Sequence, residues 1–253
     1  MDPLALFIIG GALLLIGVLV MASNVTNLRR RKRIIATPTS KIALAPASGV
    51  VEIAGTIVPS EQGVFQAPFS GLPAVWARLT IQERKNRGKS TILVTVLKEV
   101  YERVFLVDDG SGQQARVFPA SAHLVLDATQ VATSGVLREP PAHLQAFLQQ
   151  KGIASKGFIF NRNLTYKEER LAPGDALYAL GPAYREGGAM EGAFREGPPG
   201  ALVLRAGVGV QNELLLTNKS ERTLVRKLLV PFVVGACFAG AGAISVAWGL
   251  LAG

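Results

Sequence analysis

Two uncharged apolar runs, Leu4 to Ala22 and Leu228 to Leu251, bracket this chain, and each is long enough to cross a bilayer as a helix. At a rise of ~1.5 Å per residue, about 20 residues match a hydrocarbon core roughly 30 Å thick. Whatever lies between must then fold while tethered at both ends. A cleaved signal peptide is disfavoured, because Asp2 precedes the first run while Arg29, Arg30, Arg31, Lys32 and Arg33 follow it, the reverse of signal-peptide order. Lys219, Arg222, Arg226 and Lys227 precede the second run, and no charged residue follows it. Because Lys and Arg near span ends stay on the cytoplasmic side, residues 23–227 are expected in the cytoplasm, with short external termini.

The second run carries Gly235, Ala239, Ala243 and Ala247 at every fourth position, a small-residue stripe that would let another helix approach closely. Gly10 and Gly17 share a face of the first run. Spacing alone leaves open whether that contact lies within one chain or between chains, so a homo-oligomer stays among the expectations.

The formal net charge is +9. Nucleic acid is not expected as a partner, since the densest basic runs flank the spans, where anionic lipid headgroups attract each cation by about 1 kcal/mol. Arg29, Arg30, Arg31, Lys32, Arg33, Arg222, Arg226 and Lys227 are therefore the candidate juxtamembrane lipid contacts. One cysteine, Cys237, and two histidines, His123 and His143, exclude a structural zinc site and Cys-His nucleophilic chemistry by number and placement. No cofactor, metal site or catalytic residue is expected.

Between the spans, β signals dominate. Residues 34–48 mix Thr, Pro, Ser and Ala and read as a linker; Val50 to Val58 is rich in β-branched residues, with Gly55 a bulge or close-approach point. From Val75 to Glu83, Val75, Ala77, Leu79 and Ile81 alternate with Arg78, Thr80 and Gln82, the period-two pattern of a half-buried strand. Arg84 to Ser90 is a polar tip, whose Arg84, Lys85, Arg87 and Lys89 are candidate contacts for a protein partner or lipid. Thr91 to Leu97, Val100 to Val107 and Ala115 to Phe118 read as further strands, the last two joined by a tight turn at Asp108-Asp109-Gly110-Ser111-Gly112. That turn lacks the alternating oxygen ligands of a calcium loop.

Pro140 to Lys151 reads as a helix with Leu144, Phe147 and Leu148 on one face. Strands follow at Phe158 to Arg170, Ala176 to Leu180, Ala201 to Arg205 and Glu213 to Thr217, with a Gly-, Glu- and Pro-rich loop at Tyr184 to Gly200. Asn218 and Glu221 are spaced to cap a helix running into the second span, with Pro231 as a kink or first-turn residue. The expected division is 1–22 first transmembrane helix, 23–48 basic juxtamembrane linker, 49–217 β-rich domain, 218–227 juxtamembrane helix and 228–251 second transmembrane helix. The fold class is a membrane-anchored α+β chain, its β-rich domain either barrel-like or an open twisted antiparallel sheet.

Several motifs stand in a telling order: Gly49-Val50-x-Glu52-x-x-Gly55, Ala67-Pro68-Phe69-Ser70-Gly71, Val75-Trp76-Ala77-Arg78 with Glu83, Phe105 to Gly112, Glu169 to Gly181, and Leu214 to Glu221 before the second span. In this order the chain resembles the GIDE domain, also called the "beside a membrane" (BAM) domain, of the mitochondrial ubiquitin ligase activators and their prokaryotic relatives. The resemblance covers roughly residues 1 to 251. In the eukaryotic E3 ubiquitin ligases a zinc-binding RING follows the second span. Here two residues follow Leu251 and the zinc ligands are missing, so ligase activity is not expected and the chain is similar to the RING-less prokaryotic members. The resemblance implies a bacterial or archaeal plasma membrane and a domain that engages a protein partner, as yet unidentified.

The expectation is therefore a noncatalytic, membrane-anchored interaction or sensor module presenting its β-rich domain to a protein partner or lipid. A self-assembling membrane platform is one alternative. A membrane-bound hydrolase using Asp108, Asp109, Glu168 or Glu169 is another, weakened because adjacent residues on a strand point to opposite faces.

Overall fold

The computed structural model describes residues 3–87, 90–135, 138–154, 162–186, 200–209 and 212–252. Among these the helices are α1 (Pro3–Ser23), α2 (Val25–Ala36), α3 (Ala142–Gln150) and α4 (Glu221–Ala252). The strands are β1 (Ser48–Pro59), β2 (Phe65–Gln66), β3 (Pro73–Ala74), β4 (Trp76–Arg87), β5 (Ser90–Glu102), β6 (Phe105–Asp108), β7 (Gln114–Phe118), β8 (His123–Leu124), β9 (Thr129–Thr133), β10 (Leu164–Leu171), β11 (Ala176–Arg185), β12 (Leu202–Arg205) and β13 (Leu215–Thr217). The chain divides into two units, Met1–Thr39 with Lys219–Gly253, and Ser40–Asn218.

In the helical unit, α1 and α4 are each long and apolar enough to cross a membrane, by length and composition. They run antiparallel at very short range. A Cβ on Gly17 would lie 2.3 Å from the backbone nitrogen of Ala239, and one on Gly242 would lie 2.4 Å from that of Leu14. Only glycine permits backbones to meet at these points. The seam on α4 follows Gly235, Ala239, Gly242 and Gly249, while Ala243 and Ala247 are exposed. The strict fourth-residue stripe therefore leaves the seam after two members. Each step of four advances about 40° beyond a full helical turn, whereas alternating steps of three and four stay on one face.

The basic segment expected as linker is helical: α2 takes Leu28 through Ile35, where Leu, Arg and Lys are good helix formers. It stops at Thr37, which is extended because Pro38 follows. At the head of α4 the cap is Ser220 rather than Asn218, its Oγ accepting the Thr223 N–H at 3.4 Å. Pro231 lies inside α4, where its ring removes one rung of the helical ladder.

The second unit is built on a closed barrel. β1 pairs antiparallel with β11 over Ser48 to Thr56, then with β6 over Thr56 to Pro59. β6 pairs with β7, β7 runs parallel to β12, and β12 returns to β11, closing a ring of five strands. Five strands in this Greek-key order make a small barrel of the OB type, too narrow to be anything but filled. Val51, Ile53, Ile57, Phe105, Val107, Val117, Leu177, Ala179, Leu202 and Leu204 fill it. Gly55 stands beside Thr56, where β1 changes partners, and a Cβ on Gly55 would lie 2.5 Å from the Asp108 carbonyl oxygen, so this is the close approach that its sequence position suggested. β13 adds to the far side of β11, and β8 lies parallel to β13.

A second, antiparallel sheet has the order β5-β4-β10-β9. Its strands come from the two long connections of the barrel, β1 to β6 and β7 to β11. The alternating Leu79 and Ile81, with Leu164 and Tyr166, pack against Leu144, Phe147 and Leu148 of α3. Phe69 sits among them, edge-on to Phe147 and Tyr166 with ring centroids 5.3 and 5.7 Å away. β4 and β5 form one long hairpin, so Thr91 to Leu97 and Val100 belong to a single strand and the polar tip is shorter than expected.

Candidate functional site

The carboxylates weighed for acid–base work each hold part of the fold. Glu168 and Glu169 are neighbours on β10 and point to opposite faces. Glu168 is buried and accepts the backbone N–H groups of Phe69 and Ser70, both at 3.2 Å, and the Ser70 hydroxyl at 2.5 Å. It thus fills the cradle made by the Ala67 to Gly71 turn, whose Phe69 carbonyl lies 3.0 Å from His143 Nε2. Glu169 takes the guanidinium of Arg78, its direct partner across β10 and β4.

Asp108 and Asp109 shape the turn between β6 and β7. Asp108 accepts the N–H of Gly110 at 2.8 Å and the Gln114 side-chain amide at 3.1 Å, and these two bonds hold its carboxyl below the usual range. Asp109 is drawn down as well: burial opposes this, but the Ser111 hydroxyl and the N–H groups of Ile42 and Ser111 outweigh it. Gly110 and Gly112 take the positive φ angles the turn needs. Asp109 also anchors the segment entering β1, since Ile42 is gripped from its other side by Arg185, which donates to the carbonyls of Ile42 and Ala45 at 2.7 and 3.2 Å. Among the described residues no group of His, Cys, Asp and Glu could hold a metal ion.

The basic tip resolves unevenly. Arg84 is exposed, and Lys85 reaches Glu83 at 3.3 Å. Arg87 ends β4 with its side chain outside the described residues, and Lys89 lies outside them altogether. Beneath the tip, Arg162 forks onto Glu83 through bonds of 2.8 and 2.6 Å, holding that carboxyl low. Opposite the basic residues stand Ile92, Leu93 and Val94 of β5, all exposed. They belong to the run Thr91 to Leu97 that reads in sequence as a strand. The structure leaves them outside.

Of the juxtamembrane cations, Arg29 and Lys32 are exposed on α2, with Arg30, Arg31 and Arg33 half-buried; Arg222, Arg226 and Lys227 are exposed on the first turns of α4. Arg30 is held along the helix by Asn27, at 3.2 Å.

Sequence reading did not anticipate an open groove of about 640 Å³ on the outer face of β6 and β7, lined by Leu106, Asp108, Gln114 and Arg116. Arg116 is engaged there by Glu186 at 3.3 Å. Nor did it pair Glu52 with Tyr178, two buried residues on the outer face of β1 and β11 joined by a 2.5 Å hydrogen bond. Both belong to the ordered motifs of the sequence, and that order was the available signal. No protein-family model, curated protein or solved structure matches this chain.

Proposed function

We propose that this chain is a noncatalytic interaction module, anchored in a membrane by α1 and α4 and presenting its barrel and second sheet to a protein partner or to lipid. The observation that carries the reading is the pairing of two membrane-length apolar helices with a soluble unit whose candidate catalytic carboxylates are all engaged in shaping turns and strands. On this reading residues 23–227 are cytoplasmic, the basic residues of α2 and of early α4 meet anionic headgroups, and both termini lie outside. The ordered motifs favour a RING-less relative of the GIDE domain in a bacterial or archaeal plasma membrane. With only one cysteine and two histidines there is no zinc-binding RING in this sequence, so ubiquitin transfer is no part of the proposal.

Self-assembly through the small residues of α4 is the less favoured reading, because α1 of the same chain already occupies the seam at Gly235 and Gly242. The test is crosslinking of the full chain in membranes of the expressing cell, followed by mass spectrometry of the attached peptides. A foreign protein repeatedly joined to residues 49–217 is the expected result. Recovery of the chain joined solely to its own copies would replace the proposal with the self-assembling platform.

A further inference from the structure

The far end of the β4–β5 hairpin is wet on both faces, yet it carries three large aliphatic side chains. Ile92, Leu93 and Val94 are 40%, 60% and 36% exposed. In the register of the hairpin Lys85 faces Ile92 and Arg84 faces Leu93. Directly opposed residues share a face and successive residues alternate, so each face of the hairpin end bears a cation beside an aliphatic. Residues 84–98 contain five cations, Arg84, Lys85, Arg87, Lys89 and Lys98, and no carboxylate. Among the described residues no acidic side chain pairs with Arg84, and the Glu83 that meets Lys85 is already forked by Arg162.

These features narrow the occupant. A second copy pairing along the β5 edge would set this positive charge against itself. A protein groove covers one face of a strand, whereas here aliphatics project from both. The interfacial region of an anionic bilayer surrounds an inserted hairpin on all sides, offering phosphates to the cations and acyl chains to the aliphatics, with Lys and Arg snorkelling to the headgroups. The same chain carries two helices apolar enough to cross a membrane.

We propose that the end of the β4–β5 hairpin inserts into an anionic bilayer surface, with Ile92, Leu93 and Val94 below the phosphates and Arg84 and Lys85 among them. This rests on the membrane-anchored reading above and names one binding surface within it.

The test uses the full chain with Cys237→Ala, so that Leu93→Cys is the only thiol to carry an environment-sensitive fluorophore. The labelled protein is reconstituted in vesicles of phosphatidylcholine alone or with phosphatidylglycerol, and quenched with brominated lipid. The expected result is a blue-shifted, lipid-quenched probe in the phosphatidylglycerol vesicles, while the same probe at Val208→Cys, on an exposed site of the barrel unit, keeps the emission of water. Arg84→Ala and Lys85→Ala should each weaken the inserted state about five-fold, the effect of removing one cation from an anionic surface. A Leu93 probe that stays water-like in both vesicles overturns the inference, as does equal quenching in both, which would make the cations irrelevant. Resistance of the same sample to alkaline extraction reports anchoring separately, so failure of insertion and failure of anchoring are distinguished.

Discussion

The phenol of Tyr178 donates a 2.5 Å hydrogen bond to the carboxylate of Glu52, linking β11 to β1 between residues 126 positions apart. Glu52 stands opposite Leu180 in the register, so Tyr178 is its diagonal neighbour on the outer face of the barrel. Both side chains are buried. A carboxylate in that position keeps its place through its donors.

Tyr178→Phe should therefore destabilise the chain by about 1.5–3 kcal/mol, the typical worth of a hydrogen bond to a charged group. Denaturant titration of the detergent-solubilised protein, followed by far-ultraviolet circular dichroism, reads this as a lowered midpoint at unchanged slope. An unchanged midpoint would show that Glu52 does not depend on this phenol.

Glu168→Ala removes the acceptor of two backbone N–H groups and one hydroxyl beneath the Ala67 to Gly71 turn. Unsatisfied buried donors cost about 1–3 kcal/mol each, so a loss of several kcal/mol is expected, with Glu168→Gln milder because its amide oxygen can still accept. Faster hydrogen exchange at Phe69 and Ser70 would localise the effect. Stability unchanged in both variants would contradict the role assigned to Glu168.

Acid should weaken the β4–β10 junction. Arg162 holds the Glu83 carboxyl below its ordinary value of 4.5, the hydrogen-bonded fork outweighing the opposing effect of burial. A group whose folded-state pKa is depressed contributes stability that is complete above its unfolded value and lost as pH falls through the folded one. The gap in stability between the wild type and Glu83→Gln should thus be widest above pH 4.5 and close as the pH drops below it. A gap that widened in acid would reverse the sign of this linkage.

Phe7→Cys with Gly249→Cys, in a Cys237→Ala background, should form a disulfide on mild oxidation, since a Cβ at Gly249 lies 3.5 Å from that of Phe7. Adding Gly242→Val should suppress the crosslink, because its Cβ would meet the Leu14 backbone nitrogen at 2.4 Å. Adding Ala243→Val, on the exposed side of α4, should leave it intact. Equal crosslinking in both variants would place the seam elsewhere on the helix.

Local pattern carried much of this fold into view. Ala77, Leu79 and Ile81 are alternate buried positions of β4, which starts one residue after Val75, and Asp108 to Gly112 makes the tight turn its glycines demand. Pro140 to Lys151 holds the helix α3, with Leu144, Phe147 and Leu148 buried. The strand β9 went unrecognised because Thr129 to Thr133 is polar, short and carries no alternation. Thr91 to Leu97 reads as a strand and lies within β5, but its alternation-free run of Ile92, Leu93 and Val94 does not say which face is covered, and all three are exposed.

Apolar length, charge placement and alternation are properties of neighbouring residues, and they suffice for two membrane-length helices and for most strands. Barrel closure depends on β1 changing partners at Thr56, beside Gly55, and the small-residue seam depends on which face of α4 meets α1. The roles of Glu52, Glu83 and Glu168 depend on donors 79 to 126 residues away. These are outcomes of long-range packing, in which a carboxylate's environment is set by whichever strand the fold lays beside it, and no local pattern encodes that choice.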